Sequence, residues 1–205
     1  MPFASDVAFS ATVKAIQTRK GSREAYARME AHGGLGQTID DELAAFVAAQ
    51  ISFFLGTTNA DGQPYIQHRG GPPGFLRVLD DRTLGLADFS GNRQYVTQGN
   101  LQDNSKAFLF LIDYANRQRI KLWGTAEVVE GDEALNARLA VPGYKARVEQ
   151  AILFHVKAWN ANCPQHIPRR FEADDVMTAI TLRDARIAEL EAEVARLSQG
   201  PPPTR

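Results

Sequence analysis

A single cysteine, Cys163, stands among the 205 residues. One thiol cannot form an internal disulfide, and a reducing compartment is permitted. The start, Met1-Pro2-Phe3-Ala4-Ser5-Asp6, has neither the basic cluster nor the continuous apolar stretch of a signal peptide. No apolar run approaches the roughly 20 residues that cross a bilayer as a helix. A cationic surplus is missing too: 23 Lys and Arg against 24 Asp and Glu leave a formal net charge of −1, whereas a nucleic-acid binder usually carries excess positive charge. These absences exclude a disulfide framework and a helical membrane span, disfavour a nucleic-acid partner, and lead to the expectation of a cytoplasmic protein.

The composition that remains, 44% hydrophobic and 23% charged, is that of a globular chain. At this length one core can bury roughly 70% of the unfolded surface, which suits one domain with appendages. Residues 1–37 read as an N-terminal helical extension: Ser22 to Glu30 favours helix, and His32-Gly33-Gly34-Leu35-Gly36 stops it. A second helix follows, with Thr38 as the expected cap and Asp40, Asp41 and Glu42 in the first turn, where the helix dipole favours negative charge. Its Leu43, Phe46, Val47 and Gln50 share one face.

The middle of the chain predicts strands over 51–58, 64–69, 75–79, 83–89, 106–113, 119–130 and 152–157, with Asn59-Ala60-Asp61-Gly62 as a hairpin turn. Helices are expected over 92–102, 132–140 and 144–149. Six or so short antiparallel strands with helices outside predict a mainly β fold, a small closed barrel of about six strands spanning 38–172. Residues 173–199 predict a long C-terminal helix, in which Val176, Ile180, Ile187, Leu190, Val194 and Leu197 follow a heptad with Arg183 as its one polar position. That stripe fits a helix lying on its own barrel or a short coiled coil between subunits. Gly200-Pro201-Pro202-Pro203 predicts a frayed tail over 200–205.

Four segments carry groups suited to a ligand. Ser90-Gly91-Asn92-Arg93-Gln94 joins a strand end to a helix start, where unpaired N–H groups and the dipole favour an anion. Arg93 in a first helical turn gains nothing from the helix and fits a bound phosphate, although a solvated arginine beside an ordinary cap also accounts for it. Gln67-His68-Arg69-Gly70-Gly71-Pro72-Pro73-Gly74 combines donors with glycines that admit close approach, or is a bulged strand with a surface loop. Arg119 and Lys121 lie on one face of a long strand, as an anion site or as a solvated face. Trp159 to Phe171, containing Cys163, Gln165, His166 and Arg170, is a rigid loop rich in donors. Cys163-x-x-His166 lacks the second pair that structural zinc requires, and no convincing acid–base pair identifies catalytic residues.

The order of these elements resembles a known family. A helix leads into the Phe-Phe-Leu-Gly-Thr-Thr-x-x-x-Gly-x-Pro hairpin, then comes a Gly-Asn-Arg segment, then a strand ending Trp-Gly-Thr-Ala-Glu-Val-Val-Glu. The pattern resembles the FMN-binding split barrels related to pyridoxamine 5′-phosphate oxidase, over about Asp40 to Phe171. Gln67 to Phe75 and Cys163-Pro164-Gln165-His166-Ile167-Pro168 resemble a flavin-nucleotide-binding subgroup. The resemblance implies a homodimer with FMN in two equivalent interface clefts. It places the family's phosphate-binding arginine on Arg93 and the neighbouring lysine on Gln94. The strand that contacts flavin ring and phosphate falls on Gln67, His68, Arg69, Gly70 and Gly71, and a flavin-contacting glutamine falls near Arg119, with Lys121 on the same strand face. Trp159, Gln165, His166 and Arg170 would reach the flavin from the other subunit. Ser90, Asn92 and Asp88 complete the expected cofactor contacts.

Some positions depart from the oxidase itself. Gly-Gly-Pro-Pro-Gly replaces an arginine, apolar residues and a lysine. Ala87-Asp88 replaces a tyrosine–threonine pair, and the arginine-bearing C-terminal substrate segment is not recognisable. These departures argue against oxidation of pyridoxamine phosphate and leave FMN binding intact. The implied function is an FMN-dependent oxidoreductase exchanging electrons with a small-molecule donor or acceptor. The alternatives are a non-catalytic flavin or haem carrier or sensor, and a scaffold that has lost its flavin.

Overall fold

Alternating burial builds the sheet. In β1 (Ser52–Thr58) Phe53, Leu55 and Thr57 face inward and are buried, while Phe54 and Gly56 face outward. In β5 (Lys106–Asp113) Ala107, Leu109 and Leu111 do the same, leaving Phe108, Phe110 and Ile112 outside. The computed structural model describes residues 3–161 and 163–198. The remaining strands are β2 (Pro64–Gly70), β3 (Leu76–Val78), β4 (Thr83–Phe89), β6 (Gln118–Val129) and β7 (Val148–Ala161). All ladders are antiparallel, in the order β2-β1-β5-β6-β7-β4-β3. The sheet curls around a core that includes Phe53, Leu55, Leu76, Leu84, Leu109, Leu122 and Phe154, as a half-barrel of split-barrel type. The seventh strand arises because the chain after Gly74 leaves β2 and pairs with β4 instead.

The long strands β6 and β7 bend together at a register shift between Trp123 and Gly124. A bulge of this kind sharpens twist and lets a strand turn around a core. A Cβ on Gly124 would stand 2.1 Å from the His155 carbonyl oxygen, so the approach of the two backbones depends on the absent side chain.

Helices surround the sheet: α1 (Ala11–Arg19), α2 (Arg23–Ala31), α3 (Asp41–Ala49), α4 (Val96–Asp103), α5 (Glu133–Leu139) and α6 (Ala173–Ser198), with a 3-10 turn at Ala4–Val7. Asp40, not Thr38, caps α3, because its Oδ1 accepts from the Leu43 N–H at 2.8 Å. Leu43, Val47 and Gln50 are buried as the helical period requires. The N-terminal extension is tied together internally and held to β7 at its end. Ser5 donates to the buried Glu30 carboxylate at 2.8 Å, and Arg23 pairs with the same group. At the far end the Trp159 indole N–H donates to the Thr38 carbonyl at 2.8 Å.

Three sequence expectations change in the C-terminal half. Residues 144–149 are not a helix, and β7 starts at Val148 rather than Ile152. Val148, Gln150 and Ala151 pair with Phe89, Asp88 and Ala87, and a ladder of that kind outweighs weak helix propensity. Trp159, Asn160 and Ala161 belong to β7 rather than a loop, opposite Leu122, Lys121 and Ile120. Helix α6 does not lie on its own barrel: none of its residues is buried. Residues 199–205, including the expected tail, lie outside the described residues. Among the described residues no helix is long and apolar enough to cross a membrane.

Candidate functional site

The curl leaves an opening between β2 and β4, and the polar residues of β2 point into it. Tyr65, Gln67 and Arg69 alternate inward and are half-buried, while Ile66 and His68 turn out. Tyr65 donates its hydroxyl to Gln67. Arg69 crosses the opening through Nη1 to Asp88 Oδ1 on β4. The other Asp88 oxygen accepts from Gln150 Nε2 at 3.0 Å, and Gln150 approaches Gln98 of α4 at 3.5 Å. One polar chain therefore ties β2, β4, β7 and α4 together beneath the opening. Arg69 Nε is buried there without a partner among the described residues. A buried donor left unpaired costs about 1–3 kcal/mol, so its presence calls for a ligand or a function.

The rim is the segment between β4 and α4. The sequence places Arg93 in the first helical turn; the helix instead begins at Val96. Arg93 (φ 61°) and Tyr95 (φ 52°) occupy the left-handed region, which breaks the helical path. Side chains other than glycine pay roughly 1–2 kcal/mol there, and such strain clusters at ligand clamps. The Gln94 N–H donates to the Asn92 side chain at 3.2 Å, and the Ser90 N–H donates to the Arg147 carbonyl at 2.9 Å. Tyr95 provides no side-chain cap for α4, so the first-turn N–H groups face outward. Arg93 forms no ion pair among the described residues. Tyr95 donates to Glu149 at 2.8 Å, and that bond holds its phenol pKa above the usual value.

The resulting cleft measures about 320 Å³, within the range of small-molecule sites. Phe75, Leu86, Val128 and Ile152 give it an apolar floor, and Gln67, Arg69, Asp88, Asn92, Arg93 and Gln94 give it polar walls. His68 and Gly70 sit at its edge. Gly71 does not line it: a Cβ there would meet the Phe75 ring at 2.7 Å, so this glycine makes room for Phe75. Ser90 lies beside the cleft without lining it.

The other sequence candidates lie elsewhere on the chain. Arg119 and Lys121 project from the outer face of β6, with the Lys121 ammonium 5.4 Å from the Trp123 ring. Trp159 spends its N–H on Thr38. Gln165 and His166 are exposed in the loop after β7, and Arg170 stacks 4.5 Å over Tyr114. Cys163 is exposed, and among the described residues no three His, Cys, Asp or Glu side chains gather as a metal site. Sequence reasoning missed Gln150, Gln98, Glu149 and Tyr95. Gln150 was within reach only as a polar residue at an inward strand position, and that signal needs the correct start of β7.

Burial lowers the Lys121 pKa, and Arg119 adds like-charge repulsion. The folded state therefore binds this proton less readily than the unfolded state. The group opposes folding below the ordinary lysine pKa of about 10.4, and the opposition fades as pH rises toward it. Lys121→Met is expected to raise the Tm of the ligand-free protein at pH 7 by roughly 1–3 °C, because a half-exposed charge is largely screened. A lower Tm would show that the Trp123 contact outweighs desolvation.

The sequence profile described as pyridoxamine 5′-phosphate oxidase matches residues 39–176. No curated protein matches the chain. Among solved structures, HupZ of Group A Streptococcus is 23% identical, covering 65% of this chain and 99% of that one, with a TM-score of 0.49. A putative pyridoxamine 5′-phosphate oxidase from Lactobacillus delbrueckii is 20% identical over 61% and 99% of the two chains, with a TM-score of 0.46. A relative of general stress protein 26 from Clostridium acetobutylicum is 20% identical over 66% and 94%, with a TM-score of 0.45.

Proposed function

Because the chain belongs to the pyridoxamine 5′-phosphate oxidase family, we propose that it binds FMN in the β2–β4 cleft and acts as a flavin-dependent oxidoreductase on a small molecule. The observation that carries this reading is the division of the cleft. A strained arginine that makes no ion pair among the described residues stands at the rim beside an uncapped helix start, and an apolar floor lies below it. That division matches a cofactor with a dianionic phosphate at one end and a flat aromatic ring at the other. Arg93, Asn92, Gln94 and the α4 N–H groups would hold the phosphate. Gln67 and Arg69 would face the ring, and the orphaned Arg69 Nε supplies a donor that the protein itself does not satisfy. Bound FMN would supply the electron-carrying chemistry, and the protein would orient it and set the charge around it.

The family's members are typically dimers, and the outer sheet face supports the same state here. Phe54, Phe108, Phe110 and Trp123 project outward from β1, β5 and β6, and Ile66 on β2 is 69% exposed. A contiguous apolar patch of this kind marks an association surface. A two-fold dimer through it would use the patch twice and form two equivalent sites. Arg119, Lys121, Gln165, His166 and Arg170 would then meet the cofactor of the second copy rather than their own.

Purified protein is expected to be yellow, or to turn yellow on adding FMN, and to prefer FMN to riboflavin. A hydrogen bond to a charged group contributes about 1.5–3 kcal/mol, so Arg93→Ala should weaken FMN binding by roughly 10- to 150-fold with the fold intact. Equal affinity for riboflavin, or a variant within about twofold of the parent, would remove the phosphate site. A colourless protein that develops a haem absorption band but no flavin band would move it to the carrier reading. Rapid bleaching of the flavin by NADH or NADPH supports the oxidoreductase; inertness supports a flavin carrier.

A further inference from the structure

Helix α6 runs for 26 residues with none of them buried, yet it carries a long apolar stripe. Ile187, Leu190, Val194 and Leu197 are each between 43% and 64% exposed. The stripe is a heptad with alternating steps of four and three from Val176 to Leu197. Ile180, Ile187 and Val194 occupy its a positions, and Val176, Arg183, Leu190 and Leu197 its d positions. We propose that α6 forms a parallel two-stranded coiled coil with the α6 of a second copy of this chain.

Three features select this occupant and this orientation. β-branched residues at every a position, with leucine at the last two d positions, favour two parallel strands over higher orders. The flanking charges agree: Arg186 at g reaches toward Glu191 at e of the second copy in a parallel pair, once on each side. An antiparallel pair would instead set Asp184 against Glu191, both acidic, on one flank and Arg186 against Glu193 on the other, so its repulsion cancels its attraction. Arg183, the polar layer, has Asp184 beside it at 2.8 Å, so its charge is accompanied where it enters the stripe. At the base the stripe continues into Phe171, which lines an apolar hollow with Val176 and Ile180. The seam thus begins where the barrel ends. At 1.5 Å per residue the helix is about 39 Å long, and its stripe from Val176 to Leu197 spans little more than three heptads. So short a zipper is marginal alone and gains its strength from a barrel dimer that already holds the two helices close.

Cysteine cross-linking in the full-length chain tests the arrangement without reference to any cofactor. In a Cys163→Ser background, Leu190→Cys, Leu197→Cys and Ala192→Cys are oxidised separately and resolved by non-reducing electrophoresis. Leu190→Cys and Leu197→Cys should each give a covalent dimer at least about tenfold faster than Ala192→Cys, which lies on the opposite face, because pairing raises the local thiol concentration toward the millimolar range. Equal rates at all three positions would overturn the coiled coil. Cross-linking at Leu190 without cross-linking at Leu197 would overturn the parallel orientation, since an antiparallel pair separates the two Leu197 positions by most of the helix.

Discussion

Gly124→Ala is expected to lower the Tm by about 6–12 °C. The new Cβ would stand 2.1 Å from the His155 carbonyl oxygen and 2.9 Å from the Phe154 ring. The ring can swing, but the carbonyl belongs to the strand opposite and moves only if the β6–β7 ladder gives way. Overpacking against fixed backbone costs about 3 kcal/mol or more, and each kcal/mol shifts the Tm of a chain this size by about 2–4 °C. Both strands bend at this bulge, and β7 carries Gln150 to the floor of the cleft, so the loss should reach the site as well as the core. Gly56→Ala is the control. Its Cβ would meet Phe108 at 3.6 Å, an ordinary contact, and its Tm should stay within about 2 °C. If scanning calorimetry finds the two variants alike, the bulge relaxes and Gly124 is not what allows the bend.

The sheet was legible where apolar, β-forming runs stand between turn signals. β4 and β5 take the bounds that such runs predict, and α3 buries the face that a 3.6-residue period selects. β7 was shortened because Tyr144 to Glu149 leans toward helix locally, and only the partner strand β4 decides against it. Gln150 is hidden for the same reason, since a glutamine ahead of a strand carries no signal. The rim was half legible. The residues Asn92, Arg93 and Gln94 stood out by type, but the helix start was read three or four residues early because nothing in Arg93 or Tyr95 announces a left-handed backbone. The Arg69–Asp88 contact was invisible for another reason. It joins two strands that are not ladder neighbours, so neither period nor register marks it. In β1 and β5 both faces are apolar, more hydrophobic surface than one small barrel interior needs, and the sequence does not say which face meets a second subunit.

The Arg69–Asp88 pair allows stability and ligand binding to be separated. Both side chains are largely buried, at 18% and 12% exposure. Removing one member of a buried pair strands the other, which costs 3–5 kcal/mol in full burial and about 2–4 kcal/mol with this residual exposure. Asp88→Leu should lose that much in urea unfolding, since Arg69 would keep one orphaned donor and gain another. The double variant Arg69→Met/Asp88→Leu removes both charges and fills the space with apolar side chains. A replaced pair is often neutral, so stability should return to within about 1 kcal/mol of the parent, less the hydrogen bond that Gln150 loses. Binding should not return with it. If Arg69 faces the flavin ring, the double variant binds FMN at least about tenfold more weakly than the parent while unfolding at nearly the same urea concentration. A double variant that recovers both stability and FMN affinity would make the pair a brace across the open side of the barrel and nothing more. A double variant that recovers neither would mean that the charges shape the cleft, and that an apolar pair cannot hold β2 and β4 at the spacing the site requires.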